Sequence, residues 1–237
     1  MHGLPEKTPG VAAFGGTPPR LDSLRALAEL VASPPPEFGD PATADLTGRV
    51  LWGLGECGVR ADDPTVARAI TFLERDACPT GAFWGPWNPP YVAATAFVLI
   101  GLARVGADLR GPLAQRALSW LLSVQNRDGG WGESYRAFRE PELAGKAPSM
   151  PPLTGLVLRA LAELTRSKAG GVAAGRAAER AAAYLVTTQA ADGTWPDNGY
   201  LFTIVPPSQF AWTDFCLSYV LIGLGAWSEI ATSATRH

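Results

Sequence analysis

The chain has 237 residues, 47% of them apolar and 18% charged, with 20 basic against 22 acidic side chains. That content can bury a substantial core, and basic residues scattered along a chain of net charge -2 leave no electrostatic footprint for nucleic acid. Cys57, Cys78 and Cys216 lack paired spacing and read as thiols of a cytoplasmic protein; the longest uncharged apolar runs, 91–103 and 215–227, are too short to span a bilayer, which leaves at most peripheral membrane contact.

Residues 1–22 are rich in Gly and Pro without a continuous apolar stretch, and are expected to form an arm rather than a signal peptide. Residues 23–237 are expected to form one domain. Ser23 opens the first of five related segments: SLRAL at Ser23, VLWGL at Val50, VLIGL at Val98, VLRAL at Val157 and VLIGL at Val220. Rich in Leu, Val and small residues and poor in charge, they predict helices buried on most sides. Asp63-Pro64 has the form of a helix start, with Asp as N-cap and Pro at the first helical position.

Between the apolar segments lies a second repeated unit. Arg116 to Trp131 reads RALSWLLSVQNRDGGW and Arg180 to Trp195 reads RAAAYLVTTQAADGTW; Arg68 to Phe83, RAITFLERDACPTGAF, is a worn third copy with Ala77 and Phe83 in place of Gln and Trp. Each predicts an amphipathic helix ending in a Gln-x-x-Asp-Gly-x-Trp turn, the Trp and Gln tying one outer helix to the next. Inner helices alternating with outer ones define an all-α chain, a small or incomplete α/α barrel of helical-hairpin repeats. A charged insert from Glu133 to Pro152, carrying Arg136, Arg139, Glu140, Glu142 and Lys146, reads as a solvated surface loop, with a functional loop as the alternative.

Several chemistries are excluded by what is missing. The only histidines are His2 and His237, so neither a zinc site nor a Ser-His or Cys-His nucleophile pair is available. No P-loop, dinucleotide fingerprint, nucleophile elbow or DDxxD magnesium motif occurs. No metal and no cofactor are expected.

The segment from Gln125 to Glu133, QNRDGGWGE, resembles the QW motif of the squalene-hopene and oxidosqualene cyclases. The likeness extends to Asp40–Val50 (DPATADLTGRV), Gly85–Tyr91 (GPWNPPY), Glu140–Pro151 (EPELAGKAPSMP) and, weakly, the terminal 221–227, so it covers about 40–227 and matches the C-terminal part of that family. It implies a class II terpene cyclase fold, in which a carboxylic acid protonates an alkene or epoxide and carbocations close rings inside a dry aromatic pocket. A carbocation would be captured by water, whereas each aromatic face can stabilise it by roughly 0.5–2 kcal/mol without attacking it.

The family's acid, the middle Asp of a DxDD motif, has no counterpart in this chain. Two substitutes are expected. Asp45 corresponds to a family Asp near the acid, and Arg49, four residues on, stands where some members carry a His; the two would share a helix face and pair, which lowers the Asp pKa and makes Asp45 a better counter-ion or brace than a free acid. Asp214, between Trp212 and Phe215, would hold its proton if buried among those rings. Trp87 and Tyr91 match a family stretch that lines the cavity, and Phe202, Phe210, Trp212 and Phe215 are further expected walls for a hydrophobic isoprenoid or prenylated small molecule. Five inner helices fall short of the six pairs of a closed ring, leaving the N-terminal arm, a second copy or a partner subunit with the missing acid to cover the gap.

Overall fold

A computed structural model describes residues 42–234, except 197, 201, 206, 207, 211 and 212. The chain divides into two compact units, one made of residues 42–202 and 211–237. Of the other, the described residues, 203–205 and 208–210, belong to a two-stranded ribbon of β1 (Phe202–Val205) with β2 (Ser208–Phe210), an element that the all-helical expectation did not contain.

The larger unit is helical: α1 (Ala44–Glu56), α2 (Pro64–Asp76), α3 (Val92–Arg104), α4 (Pro112–Ser123), α5 (Pro151–Arg166), α6 (Gly171–Thr188) and α7 (Thr213–Ala234), with 3-10 turns at Tyr135–Phe138 and Pro141–Leu143. The packing is two-layered. α1, α3, α5 and α7 lie side by side in that order as an inner row, and α2, α4 and α6 cover them from outside. The apolar content of each segment dictates its layer: α3 buries every residue from Val92 to Leu102, whereas α2 buries Val66 and Leu73 alone. This is part of an α/α toroid, with four inner and three outer helices among the described residues; the fifth inner segment, at Ser23, and the arm before it lie outside them.

Glycines set the spacing of the inner row. A Cβ on Gly101 would lie 2.3 Å from the Gly48 carbonyl oxygen, and one on Gly223 2.1 Å from that of Gly155. α1 therefore meets α3, and α5 meets α7, backbone against backbone.

The repeated turns are superimposable in their hydrogen bonds. Gly81, Gly129 and Gly193 all have φ near +90°, the left-handed region that a side chain disfavours, and the residue three before each accepts from the glycine N–H while donating to the residue after it (Cys78, Asn126, Ala190). Trp131 is fully buried and its indole N–H donates to the Leu121 carbonyl, as Trp195 does to Leu185. The link to the next outer helix is made by Gln125, which donates to the Ala177 carbonyl and accepts from Arg180. In the worn copy that lacks Gln, Arg116 donates directly to the carbonyls of Cys78 and Pro79. The tie thus runs from the Arg of one repeat to the turn of the preceding one through hydrogen bonds, with the Trp closing its own helix. Asp63 caps α2 as expected, accepting from the Thr65 N–H at 2.7 Å.

Candidate active site

The N-terminal ends of the inner helices gather the polar and aromatic side chains that the outer turns leave free. Asp45, in the first turn of α1, is 1% exposed. Its Oδ1 accepts from the Thr43 hydroxyl at 2.5 Å and from the Leu46 N–H at 2.9 Å; its Oδ2 is buried without a hydrogen-bond partner among the described residues. The segment before α3 closes over it, because Gly85 approaches so nearly that a Cβ there would lie 2.3 Å from the Asp45 Cγ.

Arg49 lies one turn along, its Cζ 4.2 Å above the Phe97 ring. The expected pairing with Asp45 does not close into a hydrogen-bonded ion pair: Nε and Nη2 of Arg49 are buried without partners, like Asp45 Oδ2. Burial pushes the Asp45 carboxyl above its ordinary value and outweighs the opposing pull of the Thr43 hydroxyl, the Arg49 charge and the Leu46 N–H. The expectation that Arg49 would hold this carboxyl low is therefore overturned, because loss of solvent is the larger effect once the group is sealed by Gly85.

Aromatic residues surround the pair. Phe97 and Tyr219 meet edge to face at 5.9 Å, and Tyr219 meets Tyr200 likewise at 6.0 Å. Burial raises the Tyr219 phenol to about 12 and the Tyr200 phenol well above its usual range, so both are neutral. Tyr200 donates to Asn88 Oδ1 at 2.9 Å; the Asn88 Nδ2 and Trp87 Nε1 are buried without partners.

Of the residues singled out from sequence, the structure brings Asp45 and Arg49 together, and Trp87 sits in the segment whose Gly85 seals Asp45 and whose Asn88 joins Tyr200. Tyr91 is buried as the residue before α3, and burial raises its phenol too. Trp212 and the side chains of Phe202, Phe210, Asp214 and Phe215 lie outside the described residues. Asn88, Phe97, Tyr200 and Tyr219 were not anticipated. Asn88 alone carried a signal, as the amide inside Trp87-Asn88-Pro89-Pro90.

Glu133 was also missed as a site residue, and it corrects the reading of the insert. It is fully buried, with Oε2 accepting from the Tyr91 and Val92 N–H groups and Oε1 from that of Gly145. One carboxylate thus caps α3 and pins the insert. Phe138 of the insert packs edge-on against Trp84 at 6.2 Å, while Arg136, Arg139, Glu142 and Lys146 face solvent. The loop is anchored at both ends and solvated only along its rim.

A row of inner helices covered by outer ones is the arrangement that the resemblance to the terpene cyclases implied. Residues 24–225 match the family described as the squalene-hopene cyclase C-terminal domain, and the chain belongs to that family. It is 38% identical to the squalene–hopene cyclase of Alicyclobacillus acidocaldarius over 78% of this chain, and 32% identical to a terpene cyclase–glycosyl transferase fusion protein of Humicola fuscoatra over 70% of this chain. It spans 27% of the first relative's length and 14% of the second's. Among solved structures, the ent-copalyl diphosphate synthase of Streptomyces platensis shares the fold with a TM-score of 0.61 at 20% identity, over 80% of this chain and 34% of that one. No helix among the described residues is long and apolar enough to cross a membrane.

Proposed function

We propose that this chain forms a non-standard class II-type terpene cyclase site, cyclising or isomerising an isoprenoid or meroterpenoid smaller than squalene by acid-initiated carbocation chemistry, with Asp45 as proton donor. The observation that carries this reading is the setting of the Asp45 carboxyl. It is buried, loss of solvent raises its pKa above the ordinary value, and with Oδ1 already accepting twice Oδ2, without a partner among the described residues, is the oxygen from which a proton would be passed. Protonation of a carbon–carbon double bond by Oδ2 would leave a carbocation on the substrate and a carboxylate on Asp45. The ring of Phe97, which already holds the Arg49 cation at 4.2 Å, and those of Tyr200 and Tyr219 are neutral faces for that cation. The names of the relatives support an isoprenoid as the substrate.

The purified protein, incubated with isoprenoid, epoxidised and prenylated aromatic compounds, should convert one of them, and Asp45→Asn should lower turnover by roughly 10²–10⁴. Full turnover in Asp45→Asn would remove Asp45 from the role and leave Asp214→Asn as the next variant to measure. A second reading is favoured by the lack of DxDD in the sequence: the chain is a non-catalytic isoprenoid-binding subunit that completes its ring with a second copy or with a partner carrying the acid. Product formed only after addition of a DxDD-containing cyclase chain would select it.

A further inference from the structure

The unmatched hydrogen-bonding groups beside Asp45 are mainly donors. Arg49 contributes Nε and Nη2, Asn88 contributes Nδ2 and Trp87 contributes Nε1, all buried without partners among the described residues. A hydrocarbon or a bare alkene has no lone pair for any of them, and each would stay unsatisfied in a dry site. The occupant must therefore bring acceptors.

The two orphaned atoms of Arg49 narrow the chemistry. The N–H bonds of Nε and Nη2 run parallel along one edge of the guanidinium, a fork whose spacing matches the two oxygens of a carboxylate. Charge points the same way. Arg49 is the only cation among the described residues of the cluster, its Cζ lies over the Phe97 ring, and its Nε and Nη2 make no hydrogen bond to Asp45 or to any other described residue. A buried charge without a counter-ion is costly, and one negative charge on the ligand balances it. A diphosphate would bring more negative charge than one guanidinium neutralises.

We propose that the isoprenoid bound here carries a carboxylate, gripped side-on by Arg49 and supported by the Asn88 amide. This names the substrate class of the site described above and rests on the reading of that site as isoprenoid-binding.

The test is equilibrium binding to the full chain of three compounds with the same farnesyl tail: farnesoic acid, farnesol and farnesyl diphosphate. Farnesoic acid should bind about tenfold or more tighter than farnesol. Arg49→Met should bring farnesoic acid down to the level of farnesol, with farnesol losing far less than the acid, and Arg49→Lys, which keeps the charge without the fork, should restore less than half of the difference in binding free energy between acid and alcohol. Equal binding of acid and alcohol by the native protein would overturn the inference while leaving the isoprenoid site standing, and needs no variant to fold. Tightest binding of the diphosphate would overturn the carboxylate assignment. Binding of none of the three would remove both the inference and the reading beneath it.

Discussion

Replacing Glu133 by Gln isolates the cost of burying a carboxylate at the start of α3. In the native protein Oε2 accepts from two N–H groups at 2.8 and 2.9 Å and Oε1 from a third at 2.9 Å. Burial nevertheless outweighs the three donors and pushes the acid from 4.5 to about 7. A folded-state value above the unfolded one means that the native state binds the proton more tightly, so this group's contribution is fully present below pH 4.5 and is lost as pH rises through about 7. The shift corresponds to roughly 3 kcal/mol. Gln has no such proton. Its carbonyl can replace Oε2, but its amide sets a donor against the Gly145 N–H, a loss of about 1–3 kcal/mol at every pH. Urea unfolding of both proteins from pH 4.5 to 8 should therefore show the native protein losing roughly 3 kcal/mol relative to the variant as pH rises. A stability difference that is flat across this range would refute the account.

Three further substitutions test the packing. Gly223→Ala should destabilise by about 1–3 kcal/mol in chemical denaturation, because its Cβ meets the Gly155 carbonyl across the α5–α7 contact; Gly225→Ala, in the same helix with open space around it, should be neutral or slightly stabilising, and equal effects at both positions would contradict the close approach. Trp131→Phe keeps a ring in the buried slot but removes the donor to Leu121, so a loss of about 1–3 kcal/mol is expected from the melting curve, and a native-like curve would show that shape alone fills the role.

The repeat was legible because it is written in residues that cannot be exchanged freely. Asp-Gly fixes a positive-φ turn, Gln reaches the next helix, and Trp fills a slot while closing its own helix, so spacing alone revealed the layers. The proposed acid was legible as a position and not by its surroundings. Asp45 and Arg49 on one helix face suggested an ion pair, which is a rule for solvated helix surfaces. What reversed it was Gly85, forty residues away, sealing the carboxyl. Glu133 was hidden for a similar reason: among neighbouring charges it reads as surface, and only the fold aims the N–H groups of Tyr91, Val92 and Gly145 at it. Tyr200 and Tyr219 come from sequence far beyond Asn88 and Phe97, and no local pattern joins them.

The two ends of the inner row use their polar groups in different ways. The four inner helices run parallel, so that Asp45 and Tyr219 share one end while Glu56, Arg104, Glu163 and Glu229 share the other. At that second end, Glu56 pairs with Arg104 at 2.7 Å and Arg166 with Glu229 at 2.9 Å. Between them Glu163, 6% exposed, lies 3.6, 2.7 and 2.9 Å from Arg104, Arg159 and Arg166. One chain of ion pairs thus crosses α1, α3, α5 and α7. Its exposed outer links contribute little on their own, but Glu163 would be costly to bury without its arginines, and Arg104 and Arg166 sit in the last turns of α3 and α5, where the helix dipole favours a cation. Ion pairs at this end hold the row together, while Arg104 Nε, Arg159 Nε and Glu163 Oε1 make no hydrogen bond among the described residues. At the Asp45 end, Asp45 Oδ2, the Arg49 fork, Asn88 Nδ2 and Trp87 Nε1 are as deeply buried and unanswered. Unpartnered polar atoms thus occur at both ends; at the Asp45 end they include the two atoms of the Arg49 fork, which the carboxylate proposed above would complete.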